Sequence, residues 1–384
     1  MNHSHSATVI AGIPAENLTL YHRIGFSVGD PAAYVLLPDG QRFLLIRDIE
    51  ISRANKHARV DRVYCPADFA PTDGLAGDRQ IATAQALAQL LKTHQIKNVI
   101  ADRSLALIYL EQIQNAGIAV QCDPDLGLID RRIKNEKEIQ YLKNAQKITE
   151  QAMQIACTTI ANAQANAQGI LHHQGATLTS QSVKAIIDRW LLDQGYTTPG
   201  NIVACGKDGG DCHHSGSGPL YTQQPIIIDI FPKSQETRYH GDCTRTVIHG
   251  PIDPQLQKMH QTVCQAKAAA TDRLKAGATG NDIHRATAHV IQSAGYAMGL
   301  PKQAGQITMP HGTGHGVGLA VHEAPLLDHA ADHASDQLLA GDVVTIEPGL
   351  YGANCGGIRV EDMLLVTADG YENFNRLHQG LNWK

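Results

Sequence analysis

The chain has 384 residues, 43% hydrophobic and 18% charged, with a formal net charge of -5 and an isoelectric point near 6.5. That length exceeds what one hydrophobic core usually holds and predicts two domains; the mild acidity gives no reason to expect nucleic acid or an anionic membrane as a partner. The sequence has neither a long uninterrupted apolar run nor a basic start followed by an apolar stretch, which argues against a membrane span or a secretory leader and makes the cytoplasm the expected compartment.

The amino terminus, Met1 to Ser6 with His3 and His5, reads as a solvated, frayed end. Tyr34 to Leu37 and Phe43 to Ile46, separated by Asp39-Gly40, predict a β-hairpin. A helix over Ile81 to His94, a strand over Val99 to Ala101, a helix over Leu105 to Asn115 closed by Gly117 and a strand over Ile118 to Gln121 follow. This rhythm defines a small α/β domain over residues 1–128, in which Asp48, Glu50 and Arg53 are expected on a solvated face. Turn formers and charge between Asp123 and Lys134 mark the boundary with a second domain, 129–384.

Asn135 is placed to cap a long helix whose apolar positions Ile139, Leu142, Ala145, Ile148, Ala152 and Ile155 recur every three or four residues. A faint internal repeat lies beyond it. Gly175-Ala176-Thr177 leads into a helix over Ser180 to Asp193 that stops at Gly195-Tyr196, and Gly277-Ala278-Thr279 leads into one over Asp282 to Ser293 that stops at Gly295-Tyr296. A duplicated unit with a pseudo-twofold axis and a ligand cleft between its halves is one reading; two unrelated helices, each closed by glycine, is the other.

Between the copies stands an apolar strand with one carboxylate, Ile226 to Phe231 carrying Asp229, and a second strand, Thr244 to Ile248, opened by Asp242. A carboxylate in a buried strand is costly unless a cation or hydrogen bonds compensate it. The stretch from Pro310 to Asp362 adds His315 in HGTGHGVG, His322 in VHE, Glu347 in TIEPG and Glu361 in GIRVED, interleaved with glycines that let side chains crowd together. Carboxylates with one imidazole make a site for divalent metals. The eight cysteines form no CxxC pair and are expected as reduced thiols, mostly small core residues. Of the tryptophans, Trp190 reads as core and Trp383 as tail, while His329, Asp332 and His333 read as an exposed loop.

Set in IIIDIF, GDCTRT, HGTGHGVGLAVHE, TIEPGLY and GIRVED, the residues Asp229, Asp242, His315, Glu347 and Glu361 resemble the five ligands of the pita-bread metallopeptidases, peptidase family M24. The lead-in RRIKNEKEIQYLKNAQKIT and the preceding α/β domain resemble its Xaa-Pro aminopeptidase and prolidase branch. The sequence departs from the family between Asp229 and Asp242, where the separation is two residues longer than usual and Phe231-Pro232 replaces a common glycine, which predicts a longer hairpin tip over Lys233 to Tyr239.

The resemblance implies two divalent ions, bridged by Asp242 and Glu361, with Asp229 completing one coordination sphere and His315 with Glu347 the other. Such ions, about 3.5–4 Å apart, acidify a shared water for attack on the peptide carbonyl. Oxygen-rich ligation favours manganese and is compatible with cobalt, zinc or iron. Glu347 would shuttle the proton to the leaving nitrogen, and His213 and His322 would face the substrate around the scissile bond, with His214 the competing assignment for His213. Arg359 is expected to orient Glu361, and Thr244 and Arg245 to orient Asp242, or else to serve structural hydrogen bonding; His311 is expected in a loop near the metal ligands, with a direct substrate contact the alternative.

The implied activity is release of an amino-terminal residue that precedes proline, from a small peptide, by a cytoplasmic homodimer without a nucleic-acid or membrane partner. Another metal-dependent amide hydrolase, or a peptide- or protein-binding module without hydrolysis, are the alternatives.

Overall fold

A computed structural model describes residues 6–330, 333 and 336–384 of the chain, and it divides into two compact units, Met1–Arg131 and Arg132–Lys384. The first is built on a mixed sheet whose strands run, from edge to edge, Arg62–Tyr64, Arg42–Leu45, Ala32–Leu36, Ser6–Gly12, Asn98–Asp102 and Ala119–Asp123. Side chains alternate across it as a two-residue period demands. Ala7, Val9, Ala33, Val35, Phe43 and Leu45 face the helices Arg79–Thr93 and Leu107–Asn115, while Ile10, Tyr34 and Leu44 face the helices Leu18–Ile24 and Ile51–His57. The expected hairpin is present, with Tyr34 opposite Leu44.

Two expectations fail in this unit. Ser6 opens a strand near the middle of the sheet rather than a frayed end, because Ala7, Val9, Ile10 and Ala11 supply apolar surface to both faces; His3 and His5 lie outside the described residues. Glu50 is buried, held by the guanidinium of Arg53 one helical turn on, whereas Asp48 and Arg53 are exposed as expected.

The second unit begins with a 26-residue helix, Glu136–Ala161, whose amino terminus is closed by a reciprocal Asn135–Glu138 capping box. Its buried face is Leu142, Ala145, Gln146, Thr149, Ala152, Met153, Ala156, Cys157 and Ile160; Ile139, Ile148 and Ile155 are only half-buried. The apolar pattern thus placed the stripe slightly off, because two of the residues on the buried face are polar. Thr179 and Thr279 cap the helices Ser180–Asp193 and Gly280–Ser293 in the same way, each through a residue three positions on. Each helix is followed by a left-handed glycine, Gly195 or Gly295.

Three sheets carry the segments of this unit that hold the candidate ligands. One has the order Ile202–Cys205, Pro225–Ile230, Cys243–Ile248; a second joins Ala297–Met298, Thr308–Met309, Gly349–Gly352 and Gly356–Arg359; the third runs Glu323–Leu327, Gly314–Gly316, Val343–Ile346, Asp362–Val366, Tyr371–Asn373. The chain therefore leaves the third sheet for the second between Ile346 and Gly349 and returns between Arg359 and Asp362. The lengthened tip after Phe231 folds back on itself, Ser234 N–H donating to Tyr239 O at 3.0 Å, and its strand Lys233–Ser234 pairs with Tyr196–Thr197. Trp383, expected as tail, is buried in the cluster that holds the long helix, and Trp190 is half-buried against it. Among the described residues no helix is long and apolar enough to cross a membrane.

Candidate metal centre

Asp229 lies one residue from the end of its strand, in register with Thr244 on the neighbouring strand, and Asp242 immediately precedes that neighbour. His315 is the middle residue of Gly314–Gly316. Glu347 and Glu361 stand at the two points where the chain changes sheets, so neither is bound into a continuous ladder and both side chains turn inward. All five line one cavity of about 350 Å³, together with Cys212, His213, Phe231, His311, Val321, His322, Leu326, Asp328 and Arg359.

Asp242, His315 and Glu361 each offer a ligand atom within 4.8 Å of the others. His315 Nε2 lies 3.8 Å from Asp242 Oδ2 and 3.4 Å from Glu347 Oε1. Two glycines make the approach geometrically feasible. A Cβ on Gly241 would sit 2.1 Å from Thr149 Oγ1 and 2.8 Å from Ala145 O on the long helix, and one on Gly314 would sit 2.0 Å from Thr345 O. Those contacts are too short for any side chain, so close packing beside Asp242 and His315 requires glycine.

The electrostatics of the cavity call for a cation. Burial, then Glu361, Asp229 and Glu347, hold the Asp242 carboxyl far above its usual range; burial, then Glu347 and Asp229, do the same to Glu361; and burial pushes Glu347 up to about 8 against the pull of Arg359. Burial also lowers the His315 imidazole to about 4, which keeps it neutral and able to coordinate. Asp229 Oδ1 is buried and has no hydrogen-bond partner. Clustered carboxylates of this kind, with an orphaned oxygen and a neutral imidazole beside them, fit divalent ions bound through oxygen and one nitrogen.

The groups that orient the five differ from the sequence-based expectation. Arg359 donates to Asp229 Oδ2 at 2.7 Å, and it also bonds Thr244 Oγ1, Tyr351 Oη and Cys212 O. Thr244 Oγ1 in turn donates to Glu361 Oε2 at 2.8 Å. Arg245 is fully buried and serves Asp362 and the carbonyls of Thr244, Glu361, Leu377 and His378, so it holds the backbone rather than the Asp242 carboxylate. The reason is the change of sheet after Arg359, which turns Glu361 away from its sequence neighbour, and the register of the first sheet, which sets Thr244 across from Asp229.

His213 and His322 both reach the cavity wall and are exposed at its mouth, the His322 ring 4.3 Å from that of His315 centre to centre. His214 is not among the lining residues; its Nδ1 accepts from Gly216 N–H. His311 lines the cavity and bonds Tyr351 Oη at 2.9 Å. His329 and His333 are exposed, and Asp332 lies outside the described residues. All eight cysteines are free thiols; Cys157 and Cys243 are buried, while Cys122, against expectation, is exposed.

Sequence reading missed Gln146, Tyr351 and Asp328. Gln146, wholly buried, clasps the backbone of Asp242 from both sides: its Oε1 accepts the Asp242 N–H at 2.8 Å and its Nε2 donates to Asp242 O at 2.7 Å. A glutamine amid apolar helix positions was the available signal.

A cleft of inward carboxylates carried by three small sheets, preceded in sequence by an α/β unit, is the architecture of the pita-bread metallopeptidases. The metallopeptidase family M24 profile matches residues 140–368, more than half of the chain, and the protein belongs to that family. The chain is 29% identical over 264 residues to an uncharacterized peptidase of Staphylococcus haemolyticus, covering 68% of each. It is 27% identical over 291 residues to the Xaa-Pro dipeptidase of Pyrococcus horikoshii, covering 74% of this chain and 75% of that one. The crystal structure of a Xaa-Pro dipeptidase from Bacillus anthracis shares the fold with a TM-score of 0.80 at 22% identity, over 98% of this chain and 94% of that one.

Proposed function

We propose that the protein is a metal-dependent exopeptidase that hydrolyses the bond between an amino-terminal residue and a following proline. The observation that carries the reading is the convergence of Asp229, Asp242, His315, Glu347 and Glu361 on one cavity, with an unpartnered Asp229 oxygen inside it. The names of the Pyrococcus and Bacillus relatives support the choice of proline.

Those five side chains would hold two divalent ions, manganese by preference, which supply Lewis acidity toward the peptide carbonyl and an acidic water. Glu347, half-buried and beside His315, is the group that takes the proton from the attacking water and delivers it to the proline nitrogen as the bond breaks. His213 and His322, at the mouth, present imidazole N–H groups to the carbonyl oxygen as it gains charge. Arg359, locked by Asp229, Thr244, Tyr351 and Cys212 O, keeps Asp229 in its inward rotamer.

The test is release of the amino-terminal residue from Xaa-Pro peptides by protein reconstituted with manganese, against the same protein stripped by chelator and against Glu361→Gln. Activity restored by metal in the parent and absent in the variant is expected; metal-replete protein that binds ions yet leaves every Xaa-Pro peptide intact would overturn the reading in favour of another amide hydrolase or a binding module. We propose further that the protein acts as a cytoplasmic homodimer, which sedimentation equilibrium and cell fractionation examine.

A further inference from the structure

The wall of the cavity outside the metal-facing residues has a definite chemistry. Ile202, Phe231, Val321 and Leu326 are apolar, and Leu326 is 58% exposed. Among the described lining residues the sole permanently cationic side chain is Arg359, which is 4% exposed and already bonded to Asp229, Thr244, Tyr351 and Cys212 O. At the mouth stands Asp328, its side chain 41% exposed. The backbone N–H and imidazole Nδ1 of His329 meet its Oδ1 at 2.6 and 3.0 Å, and these hydrogen bonds outweigh its burial and hold the carboxyl below its usual range. His284 Nε2, 3.9 Å away, belongs to an imidazole that burial holds toward the neutral form, so Asp328 keeps its charge.

A free Xaa-Pro dipeptide places a carboxylate directly on the proline. Here that carboxylate would meet apolar side chains, an aspartate, and imidazoles that donate one hydrogen bond each where an unengaged guanidinium would give a charged, bidentate pair. An amide or a further residue presents a neutral group at the same place and carries any charge a residue length, about 3.5 Å, farther out. We propose that this wall selects against a free carboxylate on the substrate's proline, making peptides that extend beyond proline the preferred substrates, with Asp328 the specificity-determining residue. The inference rests on the exopeptidase reading given above.

The experiment compares kcat/KM of the manganese-loaded full chain for Ala-Pro, Ala-Pro-amide and Ala-Pro-Ala. A preference on the order of tenfold for the amide and the tripeptide over the free dipeptide is expected from one like charge at close range. Asp328→Asn should narrow that ratio severalfold by raising the dipeptide's kcat/KM, and raising the salt concentration should narrow it in the parent protein. A free dipeptide cleaved as fast as its amide overturns the selectivity but leaves the exopeptidase reading standing. A ratio that neither Asp328→Asn nor salt alters overturns the assignment to Asp328. Failure to cleave any of the three removes the exopeptidase reading, and this inference with it.

Discussion

Replacing Gln146 with leucine isolates what holds Asp242 in place. The substitution conserves volume and helix propensity but removes an acceptor from the Asp242 N–H and donors from Asp242 O and Asn375 Oδ1, at 2.8, 2.7 and 2.9 Å. Gln146 is buried, so no water replaces the lost partners; Asn375 Oδ1 keeps the Met363 N–H at 2.8 Å, while the Asp242 N–H and O are stranded at about 1–3 kcal/mol each. With some relaxation the loss should total about 3–5 kcal/mol, a large part of the ~5–15 kcal/mol that stabilises a typical domain. Both tryptophans, Trp190 and Trp383, belong to the second unit and pack against one cluster, so tryptophan emission during urea unfolding reports on that unit. A parallel manganese titration by calorimetry should show affinity weakened about 10–100-fold, the usual effect of releasing a ligand's supporting shell. A Gln146→Leu protein whose urea midpoint and manganese affinity both match the parent's would refute the claim that this amide positions Asp242.

Gly314→Ala should reduce activity by about 10²-fold or more, because its Cβ would sit 2.0 Å from Thr345 O and the adjoining His315 must move; steady-state kinetics against a far-ultraviolet spectrum separates this from unfolding. Lys134→Met should destabilise the second unit by about 3–5 kcal/mol in urea, since Lys134 Nζ and Glu323 Oε1 pair at 2.8 Å with both side chains buried. Asp282→Ala should cost about 1 kcal/mol at neutral pH, through loss of the capping box with Thr279. The buried His260 donates from Nε2 to Gln379 O at 2.7 Å and is held below its unfolded value of 6.5 mainly by burial. Unfolded chains therefore bind more protons below that pH, so this contribution to stability is complete above 6.5 and is lost as pH falls; His260→Gln should flatten the acid limb of the urea midpoint between pH 7 and 5.

Much of the metal centre was legible because its chemistry is conspicuous in sequence. Asp229 interrupts an unbroken apolar strand, and Gly314-His315-Gly316 crowds an imidazole between glycines; neither pattern has a comfortable structural explanation on its own. The cap at Asn135 was equally plain, since a cap is decided by residues within one turn. The first strand is less so: Ala7, Val9, Ile10 and Ala11 form a short apolar run without alternation, the pattern of a strand covered on both faces, directly beside a polar amino terminus.

Sequence by itself determined the types of candidate ligand, their order along the chain and the helices that frame them, because those depend on local pattern and on residue chemistry. Tertiary structure decided the pairings: Arg359 with Asp229 across 130 residues, Thr244 with Glu361 across 117, and Gln146 with Asp242 across 96. It also set His213 rather than His214 on the cavity wall and left Asp328 charged at its mouth. Such partners are fixed by strand register and by where the chain passes from one sheet to the next, and a change of either rotates a side chain to a different neighbour without altering a single local signal.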